Sequence, residues 1–574
     1  MRTIIKAPVL ISALLSAGFS QLVMAQDGID YSIVTDERLE NPEPENWLMF
    51  RRTYNGWGYS PLDQIDTGNV AELVPVWTMS TGMNDGHQSP PVVNDGVMFI
   101  TTPLSNLIAI DARSGEVLWR YTRQLPFDMR VMHPTNRGVA LYGDKVYMAT
   151  NDAGVVAFDA LSGEVVWEQR IEDYNGGYYS TMAPLAVNGH ILAGVSGGEL
   201  GIRGFVVALD AETGEEVWKT FTIPGPGEPG NDTWPGDTWM HGGAPTWVTG
   251  TYDPVLNQVY WGTGNPGPWI GDARPGDNLY TNSVVAFDAD TGAIVGHHQY
   301  HWNGSWDWDE VSAPLVIDIE RDGRQIPTLV HAGRNGYLWV LERGANGIGF
   351  VDADPYVYQD VFTSIDPVTG RPEYDMDKKP GTNRPASHCP SAHGGKNWPS
   401  EAYNPNTGYL YIPANNNLCG RMAGRDDIEY RRGQGFSFVD FLGGSMVEGA
   451  DHVGELQAWD LATGERVWTR EFGEFANWGP ILTTAGGLVL QGGTADRYFR
   501  AFDAETGELL WQQRLNSGII GVPSTFAIDG RQYIAVQSGW GSDAAGSQRG
   551  VDGYFDNPET IVPQGGVLWV FALP

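Results

Sequence analysis

The hydrophobic pattern of the chain is short-ranged and alternating. Apolar runs such as LIAI at 107–110, KVYMAT at 145–150, VVAF at 155–158 and GLVLQG at 487–492 have the length and composition of strands. A polar phrase recurs beside them, Asp-Ala-x-Ser/Thr-Gly-Glu-x-x-Trp. It reads DARSGEVLW at 111–119, DALSGEVVW at 159–167, DAETGEEVW at 210–218, DLATGERVW at 460–468 and DAETGELLW at 503–511. DADTGAIVG at 288–296 keeps the turn and lacks the Trp. Successive Asp residues are 48, 51, 78, 172 and 43 positions apart, and NPNTGYLYI (404–412) and LERGANGIG (341–349) are candidate degenerate copies. The phrase predicts a hairpin: Asp accepts backbone N–H groups of a turn, Gly takes a positive φ, and the segment ending in Trp returns as the next strand. Units of about 40–50 residues with four strands each predict an all-β fold, a β-propeller with tryptophan-docking repeats. Residues 26–574 leave room for about eight blades plus inserted loops. The repeated Trp is expected to pack between blades. DADTG lacks the twelfth-position Glu and the flanking helices of a calcium loop, so these turns are not expected to bind calcium.

Composition narrows the function. The 574 residues carry 70 Asp+Glu against 35 Lys+Arg, a formal charge of −35, which argues against a nucleic-acid binder or a polybasic membrane-surface protein. Residues 1–25, MRTIIKAPVLISALLSAGFSQLVMA, have a basic start, an apolar run and a small-x-small end before Gln26, the pattern of a secretory signal peptide. No later stretch is apolar for long enough to span a bilayer. An exported protein is expected, periplasmic in a Gram-negative host. Two Cys exclude a disulfide-dense or iron–sulfur scaffold, and without a C-x-x-C-H the chain attaches no c-type haem. In an oxidising compartment Cys389 and Cys419, 30 residues apart, pair as a disulfide or remain two free thiols.

Several segments outside the repeat carry chemistry. VSGGELGIRGF (195–205) places Glu199 after Ser196, Gly197 and Gly198; a buried Glu needs a cation, and small residues let backbone approach a flat ligand. MHGGAPTWVTGTYDPVLNQVYWGTGNPGPW (240–269) contains Trp247 and Asn265. HWNGSWDWDEVSAPLVID (301–318) contains Asp307 and Asp309, whose alternate spacing lets both face one cavity if the segment is extended. Two close carboxylates repel unless a strong cation lies between them.

These phrases, in this order, resemble the quinoprotein alcohol dehydrogenases, periplasmic eight-bladed propellers of the methanol/ethanol dehydrogenase family that use pyrroloquinoline quinone (PQQ). The resemblance runs from NWLMFRRTYNGWGYSPLDQIDTGNVAELVPVWTMSTG (46–82) to GVLWVFALP at the C-terminus. It implies Glu199, Asn265 and Asp307 as metal ligands, with Asp309 as the additional carboxylate of the lanthanide-dependent branch; a lanthanide is favoured, with Ca²⁺ as the alternative. It implies Trp247 as the floor under the cofactor ring, with Ser196, Gly197 and Gly198 beside it. Arg137 (TNRGVALY) and Thr181 (TMAPLAV) match residues that bond the quinone's carboxylates. Arg334 (HAGRNGYLWVL) matches the arginine near the reactive oxygens, Asn397 (HGGKNWP) a cofactor-side amide, and Trp478 and Trp540 aromatics that bound the cofactor or substrate cavity. The implied reaction is oxidation of an alcohol. Asp307 is the general base, the carbon-bound hydrogen passes to the quinone as hydride, Arg334 stabilises the developing charge, and electrons leave to a separate soluble cytochrome c. Cys389 and Cys419 sit where the family has a structural bridge.

The chain also departs from the family. Two adjacent cysteines are replaced by Val131 and Met132 in DMRVMHPTNRG (128–138), so the cavity wall is expected to use Met132 and His133. Gln88 stands for a Glu of the methanol enzymes, and Pro245 for a Thr. Methanol is therefore not the expected substrate. The segment 419–451 breaks the repeat and is expected to be an inserted loop, a lid over a cavity for a bulky or secondary alcohol. A primary alcohol of ethanol type is the alternative. An envelope scaffold propeller or a sugar-binding propeller would share the Trp repeat but would leave Glu199, Asn265, Asp307 and Asp309 without a purpose.

Overall fold

The computed structural model describes residues 31–130, 132–321, 323–555 and 559–574. The signal peptide expected at 1–25, and Val131, lie outside the described residues. Tyr31–Pro574 forms one compact unit. Among the described residues, eight sheets have four antiparallel strands each, one of them extended by a parallel fifth, Tyr59–Ser60. A two-stranded sheet (Phe362–Ile365 with Pro372–Tyr374) and a three-stranded sheet (Ala386–His388, Leu418–Gly424 and Val439–Met446) lie outside this scheme. No described helix is long and apolar enough to cross a membrane.

The repeated phrase makes the hairpin between the third and fourth strands. After Asn106–Asp111, for instance, the Asp111 carboxylate accepts the N–H groups of Arg113 and Ser114, and Val117–Thr122 returns. Asp159, Asp210, Asp288, Asp460 and Asp503 cap their turns in the same way. The turn carboxylates thus accept backbone N–H groups.

The Trp then couples each sheet to the next. The Trp119 indole N–H donates to the Ala160 carbonyl at 3.0 Å, Trp167 to Ala211 at 3.0 Å, Trp218 to Ala289 at 3.1 Å and Trp468 to Ala504 at 3.2 Å. The turn glycine of the neighbouring hairpin lies against the indole. At Gly163 the backbone has φ +73°, and a Cβ there would meet the Trp119 ring at 2.5 Å. Glycine is therefore required twice over, for the positive φ and for the close approach. Gly163→Ala is expected to lower stability by about 1–3 kcal/mol, read as a lower melting temperature or denaturant midpoint. An unchanged midpoint would remove docking from the list of forces that hold the sheets together.

The degenerate copies fall in two places. LERGANGIG joins Tyr337–Gly344 to Gly347–Pro355, the position of the true repeats, whereas NPNTGYLYI turns between the first and second strands of its sheet, Ala402–Asn404 and Tyr409–Asn415. The ends of the chain close on each other. Val74–Ser80 pairs with Val567–Ala572 and completes a sheet whose other strands, Arg531–Ser538 and Ser524–Ile528, come from the C-terminal region. The one long α-helix described, Gly541–Tyr554, interrupts that sheet.

Candidate active site

Loops that connect the sheets meet around a cavity of about 710 Å³. Glu199, Asp307, Asp309, Arg137, Thr181, Ser196, Gly197, Trp247, Arg334, Asn397, Trp478, Met132 and His133 all line it. The sequence scattered these residues over more than three hundred positions.

Asp307 and Asp309 are joined through Asn265. The Asn265 side-chain amide donates to Asp307 Oδ1 at 2.7 Å, and its backbone N–H donates to Asp309 Oδ1 at 2.5 Å. Asp309 Oδ2 accepts the Trp247 indole N–H at 3.0 Å and lies 3.9 Å from Arg334 Nη1. Asp307 adopts φ +64°, a conformation that L-residues rarely take and that strains the backbone at the point where its carboxylate enters the cavity. Burial holds the Asp307 carboxyl well above the usual carboxylate range and raises Asp309 as well; Arg334 opposes both shifts. Two half-buried carboxyls on one amide, with a cation no closer than 3.9 Å to Asp309, are an arrangement that a bound cation would relieve.

Glu199 stands in the tight turn Gly198–Leu200, flanked by Gly197 and Gly201 at positive φ. Its carboxylate accepts the Tyr179 phenol at 2.7 Å, and His133 Nε2 lies 3.8 Å away. Burial and the Glu199 charge push the Tyr179 phenol well above its usual range. Among the described residues no three Asp, Glu, His or Cys side chains close around one point. Glu199 and the Asp pair share the cavity, so the convergence expected from the sequence is partial: Tyr179 and His133 engage Glu199, while Asn265 engages the two aspartates.

Two guanidinium groups border the same space, each with an unpartnered Nε. Arg137 is buried, with its charged carbon 4.8 Å from the centroid of Trp247 and 4.8 Å from that of Trp398. Its Nη1 donates to Thr181 Oγ1 at 2.6 Å, but its Nε has no partner. Burial lowers its pKa to about 9, so the cation is poorly compensated. Arg334 Nη2 donates to the Ala392 carbonyl at 2.7 Å, and its Nε is likewise unpartnered. Trp478 lines the cavity with an unbonded indole N–H. Buried cations and donors without acceptors fit an anionic, flat, hydrogen-bond-accepting ligand over Trp247, such as a tricyclic quinone with carboxylates.

Two expected contacts are not made. Trp540 is fully buried and does not line the cavity; its indole packs against Gly518, where a Cβ would collide, because Trp540 opens the helix Gly541–Tyr554 and turns inward with the core. Gly198 does not line the cavity either. Its missing side chain makes room for the Pro245 ring, which a Cβ would meet at 2.9 Å. Gln88 is buried outside the lining.

Sequence reasoning also missed several residues. Glu310, beside Asp309, is fully buried and accepts the backbone N–H groups of Arg334 at 2.9 Å and Asn335 at 3.1 Å, tying the arginine loop to the aspartate segment. Burial opposes its charge, but His331 and these amides hold its carboxyl below the usual range. Asp543, in the first turn of Gly541–Tyr554, faces His133 Nδ1 at 3.1 Å and brings the helix onto the cavity wall. Ser547, Val551 and Tyr554 of that helix line the cavity too.

The inserted segment is not a plain loop. Leu418–Gly424 and Val439–Met446 are paired strands, and Cys389 and Cys419 are bonded at the root of the insertion, which leaves no free cysteine among the described residues. Leu418, Met422, Ser437 and Phe441 line the cavity. The Phe436 N–H donates to the Glu199 carbonyl at 2.7 Å, and the Tyr430 ring stacks on His241 at 3.4 Å, so the insertion is seated on the Glu199 turn.

Residues 47–348 and 452–534 match the PQQ family described as glucose/ethanol/alcohol dehydrogenase, β-propeller domain. The quinoprotein alcohol dehydrogenase PedH of Pseudomonas putida is 36% identical, with 100% of this chain and 97% of the relative aligned. The lanthanide-dependent methanol dehydrogenase of Methylacidiphilum fumariolicum is 36% identical over 87% of this chain and 85% of its own length. The solved structure of a europium-containing methanol dehydrogenase superposes with a TM-score of 0.87 at 34% identity, covering 94% of this chain and 100% of that one. The chain belongs to the quinoprotein alcohol dehydrogenases, PQQ β-propeller enzymes that oxidise alcohols and carry a metal ion.

Proposed function

We propose that this chain is an eight-bladed periplasmic PQQ dehydrogenase that oxidises a bulky or secondary alcohol to a ketone or aldehyde and passes the electrons to a separate soluble cytochrome c. The observation that carries the reading is one cavity in which Asp307 and Asp309 share Asn265 while the Arg137 guanidinium lies over Trp247 and Arg334 lies 3.9 Å from Asp309. When bound, PQQ with its cation supplies the two-electron acceptor for the alcohol carbon.

The protein residues do the rest. Glu199, Asn265, Asp307 and Asp309 would hold the cation, whose charge would keep the two aspartates ionised. Asp307 takes the substrate hydroxyl proton at its carboxylate. Arg137 and Thr181 anchor the cofactor's carboxylates, and Arg334 stabilises charge at its reactive end. Trp247 supports its ring, and Ser196, Gly197, Asn397 and Trp478 bound it. Met132 and His133 take part in the substrate wall in place of the missing vicinal cysteines.

The cavity supports a large substrate. Pockets for drug-sized ligands run to roughly 300–1,000 Å³, and 710 Å³ has room for a flat cofactor and a multi-atom substrate together. Met422 and Phe441 from the insertion and Tyr554 from the helix add apolar surface to the lining. The chain has no C-x-x-C-H motif, which supports an electron acceptor on a separate protein.

The enzyme purified with PQQ and a lanthanide is expected to show quinone absorbance and to reduce a dye with an alcohol panel, with a higher kcat/KM for cyclic secondary alcohols than for ethanol. Ethanol as the best substrate would favour the primary-alcohol reading, in line with relatives named quinoprotein ethanol dehydrogenase. No dye reduction with any alcohol would overturn both readings.

A further inference from the structure

Two of the turns that carry site residues are built largely from glycine and proline. Glu199 stands in Gly197-Gly198-Glu199-Leu200-Gly201, and Asn265 opens Asn265-Pro266-Gly267-Pro268. Glycine-rich backbone has little stiffness of its own, whereas the oxygen donors of a cation must be held in place by the groups behind them. The segment 242–244 ties the flanks of both turns. Gly243 donates its N–H to the Ile202 carbonyl at 2.9 Å, and Ala244 donates to the Asn265 carbonyl at 2.8 Å. The Glu199 carbonyl and the Trp269 N–H are taken by a different segment.

That segment is 425–438, the connection between Leu418–Gly424 and Val439–Met446 of the insertion. It reaches both turns with two successive residues. The Phe436 N–H donates to the Glu199 carbonyl at 2.7 Å, and the Ser437 carbonyl accepts the Trp269 N–H at 3.0 Å. The Phe436 side chain is buried, and its ring covers a glycine of each turn. A Cβ on Gly201 would meet the ring at 3.0 Å, and one on Gly267 would meet it at 3.5 Å. One ring resting on two glycines fits only while both turns keep their places. Tyr430 meets Phe436 edge-on at 5.6 Å and stacks on His241, whose Nδ1 lies 3.1 Å from the Gly201 carbonyl. Farther out, Arg432 pairs with Asp173 at the surface, a contact of little worth in water. The ring and the two backbone bonds therefore account for most of the attachment. Phe436 does not line the cavity, so it acts through the turns and not on a ligand.

We propose that residues 425–438 are a clasp on the cation site, in which Phe436 is a positioning residue that fixes the Glu199 turn against the Asn265 turn and slows release of the cation. The inference rests on the cation site proposed above and gives the insertion a second role beside lining the cavity. Opening the clasp frees both turns at once, so exchange of the cation and opening of 425–438 are one event.

The test follows Eu³⁺ leaving the PQQ-loaded enzyme into excess chelator, with no alcohol or dye present. Phe436→Ala is expected to release Eu³⁺ about 10- to 100-fold faster than the native enzyme. Phe436→Leu, which keeps an apolar side chain without the ring, should fall between the two. Leu442→Ala, at an exposed position of Val439–Met446, should release at the native rate, which separates the clasp from a general loosening of the insertion. Should Phe436→Ala not fold, Phe436→Leu decides: release faster than native supports the clasp, and the native rate overturns it. Native rates in both Phe436 variants, or equal acceleration by Leu442→Ala, overturn the clasp and leave the cation site standing. A native enzyme that retains no Eu³⁺ overturns the cation site and the clasp with it.

Discussion

Asp307→Asn lowers kcat by roughly 100- to 10,000-fold, the range usual for loss of a positioned general base. Asn is the right replacement for two reasons. It tolerates the left-handed backbone that Asp307 adopts at φ +64°, where Ala would add strain. It also keeps a side-chain oxygen able to accept the Asn265 amide at the 2.7 Å contact. The folded enzyme should therefore keep its melting temperature and still show quinone absorbance after reconstitution. What the variant loses is a carboxylate that can become neutral by taking a proton. A fall in absorbance together with activity would show that Asp307 holds the cofactor site together and would leave its role as base unsupported. Retained turnover would remove Asp307 from the chemistry altogether.

The second large effect concerns the cation. Apoenzyme reconstituted with PQQ and La³⁺ or Ce³⁺ is expected to be more active than with Ca²⁺, and Asp309→Ala to weaken lanthanide binding by roughly 10–100-fold, a range seen when groups that support a metal site are removed. The reason is charge. Asp309 is half-buried, joined to Asp307 through Asn265, and accompanied by Arg334 at 3.9 Å, too far for a tight ion pair. With Glu199 it brings a third carboxylate to the cavity. A trivalent ion balances three carboxylates; with a divalent ion one negative charge stays buried. Removing Asp309 should shift the preference toward Ca²⁺. Equal activity with Ca²⁺ in the native enzyme would show that Asp309 serves Trp247 and Asn265 as an acceptor and leaves the metal alone.

The repeat was legible because the physics that makes it is local. Asp caps a turn, Gly supplies φ and clearance, and Trp reaches one carbonyl in the next sheet, so a nine-residue phrase records a contact between sheets. The closure of the chain was not legible. Val74–Ser80 and Val567–Ala572 pair across almost the whole length, and nothing in either strand names its partner. The helix Gly541–Tyr554 was hidden by its own composition. With Gly541, Gly546, Gly550 and Gly553 it has poor helix propensity, and packing of Ala544, Ser547 and Val551 decides its conformation. That also explains Trp540, which begins the helix and faces the core. The site residues were readable by order and phrase, but their support was not. Glu310 resembled any acid beside a pair of others, and only the fold shows it bonded to the Arg334 and Asn335 amides. The insertion was visible as an interruption, while its strands, rich in glycine and polar residues, gave no alternation to follow.

The most direct test of the account is anomalous diffraction at a lanthanide edge from crystals of the enzyme reconstituted with PQQ. The account predicts a single strong peak bounded by Glu199, Asn265, Asp307 and Asp309, with quinone density over Trp247 and the Arg137 guanidinium turned to its carboxylates. A peak at the surface, with Asp307 and Asp309 still bonded to Asn265 alone and no ring over Trp247, would contradict it.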